Sequence, residues 1–304
     1  MLRRLLLLPV LAFSLAAAVN VGVFPEEIKH VFTTAQGLPA NDVNCVAAAG
    51  GVVYAGAANG LASYSNGAWH LNGEFSGGAV ALCTASPDAV YFTYGSALYR
   101  FTENRPHRVA SLPVGARAIA ARGKLLFVGT DHALFEIDAA GTAFRAVRLP
   151  VPELAVRQIG IGPSGEVAVA AGEGLFVRDS AGAWTRQYPR HGERSWAPVD
   201  VRGVVYDSRG RLWFAAPQGA GYRDGSGWRL LTGLDGLPYD DFTTVAAGGD
   251  GVVWFGTRRG AIRYDGKVWE YRQGLAWLPD NDVRAIAIAE NGSAWFATRK
   301  GAGL

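Results

Sequence analysis

Residues 250 to 266 read Asp250-Gly251-Val252-Val253-Trp254-Phe255-Gly256-Thr257-Arg258-Arg259-Gly260-Ala261-Ile262-Arg263-Tyr264-Asp265-Gly266. An Asp-Gly pair at each end favours a tight turn, because glycine adopts a positive φ without steric cost. Between the turns lie a β-branched and aromatic run, Val252 to Phe255, and a second extended run, Ala261 to Tyr264, separated by Arg-Arg-Gly. Two short strands flanked by hairpin turns form a strong β signal. The pattern recurs along the chain, and this recurrence predicts the fold.

Each recurrence can be aligned on the position that Trp254 occupies. The aligned residues follow one another about 40 residues apart, and they are Tyr54, Tyr91, Phe127, Ala168, Trp213, Trp254 and Trp295. Each unit has room for four strands, and no segment shows sustained helical periodicity. The sequence therefore predicts an all-β protein with one domain, a seven-bladed β-propeller over residues 28–304, with these anchors in its core.

The two ends of the repeat array are predicted to meet in one blade. Residues 28–34 align with the outer strand of blade five through the shared Gly-Leu-Pro that follows each of them, at Gly37 and at Gly236. The chain ends at Leu304 just as the third strand of the last blade begins. We therefore expect the N-terminal strand to close a last blade that is apparently incomplete at its C-terminus and exposes a strand edge. This also favours the chain being the front piece of a longer regulator.

The first 18 residues have the pattern of a secretory signal peptide. Arg3 and Arg4 precede an apolar stretch, and Ala16-Ala17-Ala18 supplies small residues for cleavage. The apolar stretch is too short for a good membrane span, although an uncleaved anchor remains an alternative, and no later stretch is long enough. The prediction is an exported bacterial protein, periplasmic or extracellular. Without this segment the formal charge of +3 falls close to zero, which gives no support for nucleic-acid binding.

Export would permit a disulfide between Cys45 and Cys83, the two cysteines of the chain. In the alignment, however, Cys45 falls in register with Ala81 and not with Cys83. Because side chains of a strand alternate between its faces, the two thiols are expected to point to opposite sides of their sheets. The sequence therefore predicts two small core residues rather than a disulfide.

Blades one, five, six and seven resemble the repeat of two-component regulator propellers. The first half of that repeat, Gly-Leu-Pro-x-Asn-x-Val, matches the chain from Gly37, from Gly236 and from Leu278; the second half matches Trp254 through Tyr264 and, less fully, the segments that begin at Trp213 and Trp295. The resemblance implies a periplasmic sensor module, often responsive to polysaccharides and joined to a membrane span and a signalling output. No output domain or second span occurs in this chain.

Candidate ligand-binding residues lie in the loops that should surround one end of the central channel. Binding residues of repeat arrays usually occur in such loops and in insertions on one face. Arginine forks and an exposed tryptophan suit carboxylated sugars. The candidates are Asn41, Asp240 and Asn281 between blades, Arg258, Arg259, Arg299 and Lys300 between second and third strands, and Arg190, His191, Arg194 and Trp196 in a long insertion. For Asn41, Asp240 and Asn281, a turn-capping role is the alternative.

The sequence favours a binding or sensing propeller, the sensor part of a two-component-type regulator that responds to a carbohydrate-like ligand. Two alternatives remain. One is an exported carbohydrate-active enzyme, a glycoside hydrolase or polysaccharide lyase, for which Tyr188, His191 and Arg194 are candidate acid and base groups; no motif pairs them. The other is a protein-interaction scaffold. The histidines lack metal-ligand spacing, so neither a metal nor a cofactor is predicted.

Overall fold

The computed structural model describes residues 29–102, 105–138, 141–179 and 181–304; the predicted signal peptide lies outside them. The strands in these residues are β1 (Val31–Phe32), β2 (Val43–Ala49), β3 (Val52–Ala57), β4 (Gly60–Ser65), β5 (Ala68–Ser76), β6 (Cys83–Ser86), β7 (Ala89–Tyr94), β8 (Ala97–Thr102), β9 (Arg105–Ser111), β10 (Ala116–Arg122), β11 (Leu125–Thr130), β12 (Leu134–Ile137), β13 (Phe144–Ala146), β14 (Val156–Ile161), β15 (Val167–Ala171), β16 (Gly174–Arg178), β17 (Trp184–Arg186), β18 (Arg190–His191), β19 (Arg194–Ser195), β20 (Gly203–Tyr206), β21 (Leu212–Ala216), β22 (Gly219–Asp224), β23 (Gly227–Leu231), β24 (Phe242–Ala247), β25 (Val253–Thr257), β26 (Gly260–Tyr264), β27 (Trp269–Arg272), β28 (Ala285–Ile288), β29 (Ala294–Thr298) and β30 (Gly301–Gly303). Two 3-10 turns, Thr34–Gln36 and Gly233–Asp235, lie between blades.

These strands form seven four-stranded antiparallel sheets, which confirms the predicted seven-bladed propeller. Blades one to four contain β2–β5, β6–β9, β10–β13 and β14–β17; blades five and six contain β20–β23 and β24–β27; blade seven contains β28, β29, β30 and β1. The first strands of consecutive blades contact one another all the way round, so they line a central channel. The remaining pair, β18 and β19, forms a separate hairpin in the insertion before blade five.

The predicted anchors occupy equivalent positions. Each lies on the second strand of its blade, three residues before the strand ends. Six of them are buried, among them Trp213 with 1% of its surface exposed. Trp254 is the exception, because it is only partly buried and packs its ring edge against Phe296 at a centroid distance of 5.2 Å. In this blade the adjacent Phe255 is fully buried instead.

The third strand of blade seven is short, as predicted, and it covers the edge of β29 only in part. Phe296, Ala297 and Thr298 of β29 pair with β30, whereas Ala294 and Trp295 have no partner in β30. β30 in turn pairs with β1 through Val31–Gly303 and Phe32–Ala302. Two further backbone hydrogen bonds join His30 and Leu304, at 3.1 and 2.9 Å. The three residues of β30 therefore pair with part of the edge of β29 and give β1 a partner. Phe32 also stacks on Trp295 at 5.6 Å, within a cluster of aromatic rings between blades seven and one.

Cys45 and Cys83 are free thiols in the structure, as the sequence predicts. Cys45 pairs with Gly56 and Cys83 with Phe92, so the two cysteines do lie on opposite faces of equivalent sheets. Neighbouring blades, however, pack the front of one sheet against the back of the next. Opposite faces of adjacent blades therefore face each other, and both residues pack in the same hydrophobic cluster between blades one and two.

A buried carboxylate holds the first turn of blade five. The Asp207 side chain accepts hydrogen bonds from Trp213 Nε1 at 3.0 Å, from Arg211 Nε at 2.6 Å and from the backbone N–H groups of Arg209 and Arg211 at 2.9 Å. Burial by itself would raise the pKa of Asp207, but the hydrogen bonds from Trp213 and Arg211 outweigh it, and the pKa is lowered from its usual value.

We expect Asp207→Asn to be less stable than the wild type by an amount that depends on pH. Because the folded-state pKa of Asp207 is lowered, the stabilisation is fully present above the unfolded-state pKa of about 3.9 and is lost as the pH falls through the folded-state value. Urea unfolding at several pH values measures the difference between the two proteins. It should be constant near neutral pH and shrink below about pH 4. A difference that does not change with pH would contradict this role.

Candidate functional site

One end of the central channel carries a ring of arginines that the sequence reasoning missed. In β2, β10, β14 and β24 the pairing shifts by one residue near the start of the strand, which leaves Asn44, Arg117, Arg157 and Thr243 at the bulges. Such bulges turn a side chain away from the regular alternation of the strand. Arg202 and Arg284 hold the matching positions before β20 and β28, where their N–H groups bond to the second strand at 2.8 and 2.9 Å. We call Arg117, Arg157, Arg202 and Arg284 the arginine ring.

Aspartates from the surrounding loops hold the arginine ring in place. Arg284 pairs with Asp42 at 2.7 Å and Arg117 with Asp131 at 3.0 Å. Asp200 contacts both Arg157, at 3.7 Å, and Arg202. It does so from a left-handed backbone conformation with φ of 51°, which is uncommon for a residue other than glycine and is found often at functional sites.

Three members of the arginine ring, Arg117, Arg157 and Arg284, line a cavity of about 320 Å³ together with first-strand residues of six blades. On one side of this cavity, the Gln158 side chain passes the first strand of blade five and reaches blade six. Its Nε2 donates to the Val245 carbonyl at 2.8 Å, and its Oε1 accepts from Val245 N and Thr244 Oγ1, both at 3.2 Å. A Cβ atom at Gly203 in the intervening blade would lie 3.1 Å from Gln158 Oε1, so glycine leaves the path open. Gln158 thus joins blade four directly to blade six.

A wider pocket of about 620 Å³ opens at the channel mouth. It is lined by Arg202, Thr243, Arg258, Asp282, Arg284 and Arg299, which is four arginines for one carboxylate. We call it the mouth pocket. Arg299 lies 3.7 Å from Asp282. For Arg258, no acidic partner lies within ion-pair distance among the residues that the structure describes. Because Arg202 and Arg284 are paired with Asp200 and Asp42, Arg258 is the arginine of the mouth pocket whose charge no carboxylate balances among the described residues.

The structure brings some of the predicted site residues to this mouth. Arg258 and Arg299 line the mouth pocket itself, and Asp240 lines a neighbouring cavity that shares Arg202 and Arg258 with it. Arg259 and Lys300 follow Arg258 and Arg299 in the same loops, are exposed, and lie 3.5 Å from Asp241 and 3.9 Å from Asp280.

Asn41 and Asn281 have structural contacts. The Asn41 Oδ1 accepts a hydrogen bond from the Thr34 backbone at 2.8 Å, and the Asn281 Oδ1 accepts one from Gly274 at 2.7 Å. Each side chain thereby fixes the loop that enters the next blade. This matches the turn-capping alternative, and a ligand role for these two amides remains a prediction.

The insertion before blade five lies against the outermost strand of that blade, away from the mouth pocket. His191 Nδ1 accepts from Leu230 N at 3.4 Å, and Arg194 donates to Leu230 O at 2.8 Å. Arg194 also donates to Asp235 at 2.6 Å. The Arg190–His191 strand thus covers the edge of β23, a common way of protecting an edge strand. Trp196 packs against Phe214 in the core instead of facing solvent as a sugar platform.

Of the three residues proposed for acid–base chemistry, His191 and Arg194 belong to this covered edge. The second ring nitrogen of His191 lies 3.0 Å from Arg229 Nη1, and Arg194 is held by Asp235. Tyr188 is exposed and carries the Arg186 guanidinium over its ring at 5.5 Å. His191 and Arg194 are thus in hydrogen-bonding contacts along the outside of blade five, whereas Tyr188 contacts the end of β17 in blade four.

In the described part of the chain, no group of three or more histidine, cysteine, aspartate or glutamate side chains is arranged to hold a metal ion. Within the same residues, no helix has the length and apolar character needed to span a bilayer.

No protein-family model matches the sequence, and no curated protein matches it. Solved structures do. The extracellular domain of BT4673 from B. thetaiotaomicron, described as a hybrid two-component system, superposes with a TM-score of 0.71 at 16% identity, over 90% of this chain and 39% of that one. Streptogramin B lyase gives 0.69 at 16% identity, over 91% and 96% of the two chains. YCF48, solved with bound D1 peptide, gives 0.65 at 15%, over 92% and 95%.

The chain therefore spans well under half of the BT4673 domain and nearly all of the other two proteins. The match to an extracellular domain of a two-component system supports the resemblance to regulator propellers at the level of fold. Identities this low do not carry a function across, because one fold hosts many activities. What the comparisons show is that the chain is a β-propeller with a shape shared by a sensor-system domain, a lyase and a peptide-bound protein.

Proposed function

We propose that the protein is an exported binding propeller that takes up an anionic, carbohydrate-like ligand in the mouth pocket. The observation that carries this is the convergence of Arg202, Arg258, Arg284 and Arg299 around one cavity with a single carboxylate. Guanidinium groups bind carboxylates and sulfates through paired hydrogen bonds, and such charge-assisted bonds are the stronger ones. A cavity of about 620 Å³ is within the range of small-ligand sites.

The ligand class follows from charge and from resemblance. The charge of Arg258, which no carboxylate balances at the mouth, favours an anion. The resemblance to regulator propellers favours a sugar, so a uronate or sulfated oligosaccharide satisfies both. In this role the propeller is the sensor part of a two-component-type regulator, and a signalling domain receives its output. Export rests on the signal-peptide pattern; N-terminal sequencing of the secreted protein should show cleavage after the Ala16-Ala17-Ala18 stretch.

Binding of oligogalacturonate, measured by titration calorimetry, tests the ligand class. The neutral control is a maltooligosaccharide of the same length. We expect the acidic sugar to bind and the neutral one not to bind, with affinity falling as salt is raised, because screening weakens exposed charge pairs. Equal binding of both sugars, or none of the acidic one, contradicts an anionic carbohydrate ligand.

The site is tested by replacing both Arg258 and Arg299 with alanine. Each arginine should supply a charge-assisted hydrogen bond, so the double variant should bind the acidic sugar at least about 10-fold more weakly. The matched control replaces Arg105 and Arg122, two exposed arginines, of which Arg122 lies at the opposite end of β10 from the arginine ring. An equal loss in this control would show that affinity depends on net charge rather than on the mouth pocket.

A further inference from the structure

Cys45 and Cys83 meet in the space next to a glycine. Cys45 lies in β2 opposite Gly56, and a Cβ atom at Gly56 would come within 2.6 Å of Cys45 Sγ. The Cys83 thiol interacts with both the Gly56 backbone and the Cys45 side chain. The missing side chain at Gly56 thus leaves room for two sulfur atoms from adjacent blades.

The surroundings of this pair are apolar on one side and open to the channel on the other. Cys45 is only 5% exposed and packs with Ala47, Val80 and Phe92. Cys83 is less buried, and both cysteines are among the residues that line the 320 Å³ cavity inside the arginine ring. A small oxidant can therefore reach Cys83 from the channel. The surrounding core residues hold Cys45 next to Cys83.

We propose that Cys45 and Cys83 form a disulfide that joins blade one to blade two. This inference is independent of the proposed ligand. The bond closes a covalent loop that contains β3, β4 and β5, the rest of blade one. Such a cross-link restricts the unfolded chain and so stabilises the folded ring.

The oxidant is a disulfide of low molecular weight or of a dithiol oxidase. One thiolate attacks the donor and releases one of its two thiols; the second thiolate then attacks the mixed disulfide and releases the other. The Cys45–Cys83 bond forms, the donor bond breaks, and the two protons and two electrons pass to the donor. Burial, followed by contact with Cys45, raises the pKa of the Cys83 thiol. The thiolate is scarce in the folded protein, so we expect slow oxidation of the native reduced form and faster oxidation during folding.

The test is to refold the reduced chain with oxidised glutathione, denature it in an alkylating reagent and measure its intact mass. We expect the mass to fall by two hydrogen atoms, no alkylation, and a peptide that contains both cysteines after digestion. The oxidised protein should melt about 5 °C or more above the reduced one. Two alkylated thiols, glutathione adducts or disulfide-linked dimers would overturn the proposal.

A matched control keeps two cysteines but moves one to the other face of the same sheet. Leu82 precedes Cys83 and packs toward blade three, so Leu82→Cys combined with Cys83→Ala presents the thiol away from Cys45. This variant should retain both thiols under the same oxidation, and Cys83→Ala alone should show no redox-dependent shift in melting temperature. A disulfide in the face-swapped variant would show that the bond reflects proximity in the unfolded chain and not the interface described here.

Discussion

Replacing Trp213 by alanine is expected to lower the free energy of unfolding by about 3–5 kcal/mol. Its side chain is 1% exposed and lies against Tyr222, with ring centroids 4.4 Å apart. Its indole N–H also donates to the buried Asp207 carboxylate at 3.0 Å. The substitution therefore empties a large core site and removes a partner of a buried charge, both of which are costly.

Trp254→Ala supplies the comparison, because Trp254 holds the same strand position in the next blade but is only partly buried. We expect it to lose less than half as much stability as Trp213→Ala, since the transfer and cavity contributions scale with buried area. Urea unfolding of the two variants under the same conditions measures both. Equal losses would mean that the strand position, and not the burial seen in this structure, sets the contribution of the anchor.

The second large effect is expected at Gly301, where the ring closes. The backbone there has a φ of 138°, and a Cβ atom would lie 2.3 Å from the carbonyl oxygen of Phe32 in β1. Alanine would strain this conformation and push the N-terminal strand away. We expect Gly301→Ala to cost about 3–5 kcal/mol and to speed hydrogen exchange at the backbone amides of Phe32 and Leu304.

A substitution at Gly292 separates the strain of the positive φ from the steric clash with β1. It lies in the first turn of the same blade with a φ of 83°, but no atom outside its immediate chain neighbours approaches within 4 Å of where its Cβ would be. Gly292→Ala should therefore cost only the backbone term, about 1–2 kcal/mol. If both variants lose the same stability and the Phe32 amide stays protected from hydrogen exchange, the position of β1 does not depend on Gly301.

The repeat unit was predictable because turn and strand signals agree in it. Asp265-Gly266 forms the predicted turn, with Gly266 at a φ of 99° and the Asp265 carboxylate accepting from two backbone N–H groups. That agreement, at a nearly constant spacing, fixes the number of blades even where Ala168 replaces the aromatic anchor. Closure by the N-terminal strand was predictable from the shared Gly-Leu-Pro, but three residues of β30 were too few to show in the sequence how far they pair with β29.

The arginine ring escaped prediction because a β-bulge leaves no reliable mark in the alternation of side chains. Regular alternation gives no reason to single out Arg157 or Arg284; the shift in pairing directs them to the channel. A signal was nevertheless present: in three blades arginine follows the last buried valine before the first strand becomes regular, at Val156-Arg157, Val201-Arg202 and Val283-Arg284. The length of the insertion before blade five predicted a binding loop; the structure shows that its first strand covers the edge of β23, and a ligand role for its residues stays a prediction.

The Gln158 link across Gly203 has a mechanical consequence. In a propeller whose blades contact only their two neighbours, the loss of one interface between blades is enough to open the ring. Here the Gln158 side chain links blade four directly to blade six through hydrogen bonds to Val245 and Thr244. If either interface of blade five with its neighbours loosens, the Gln158 hydrogen bonds still hold blades four and six together. Blade five, which contributes Arg202 to the mouth and carries the hairpin on its outer edge, is therefore bypassed by a direct link between its two neighbours.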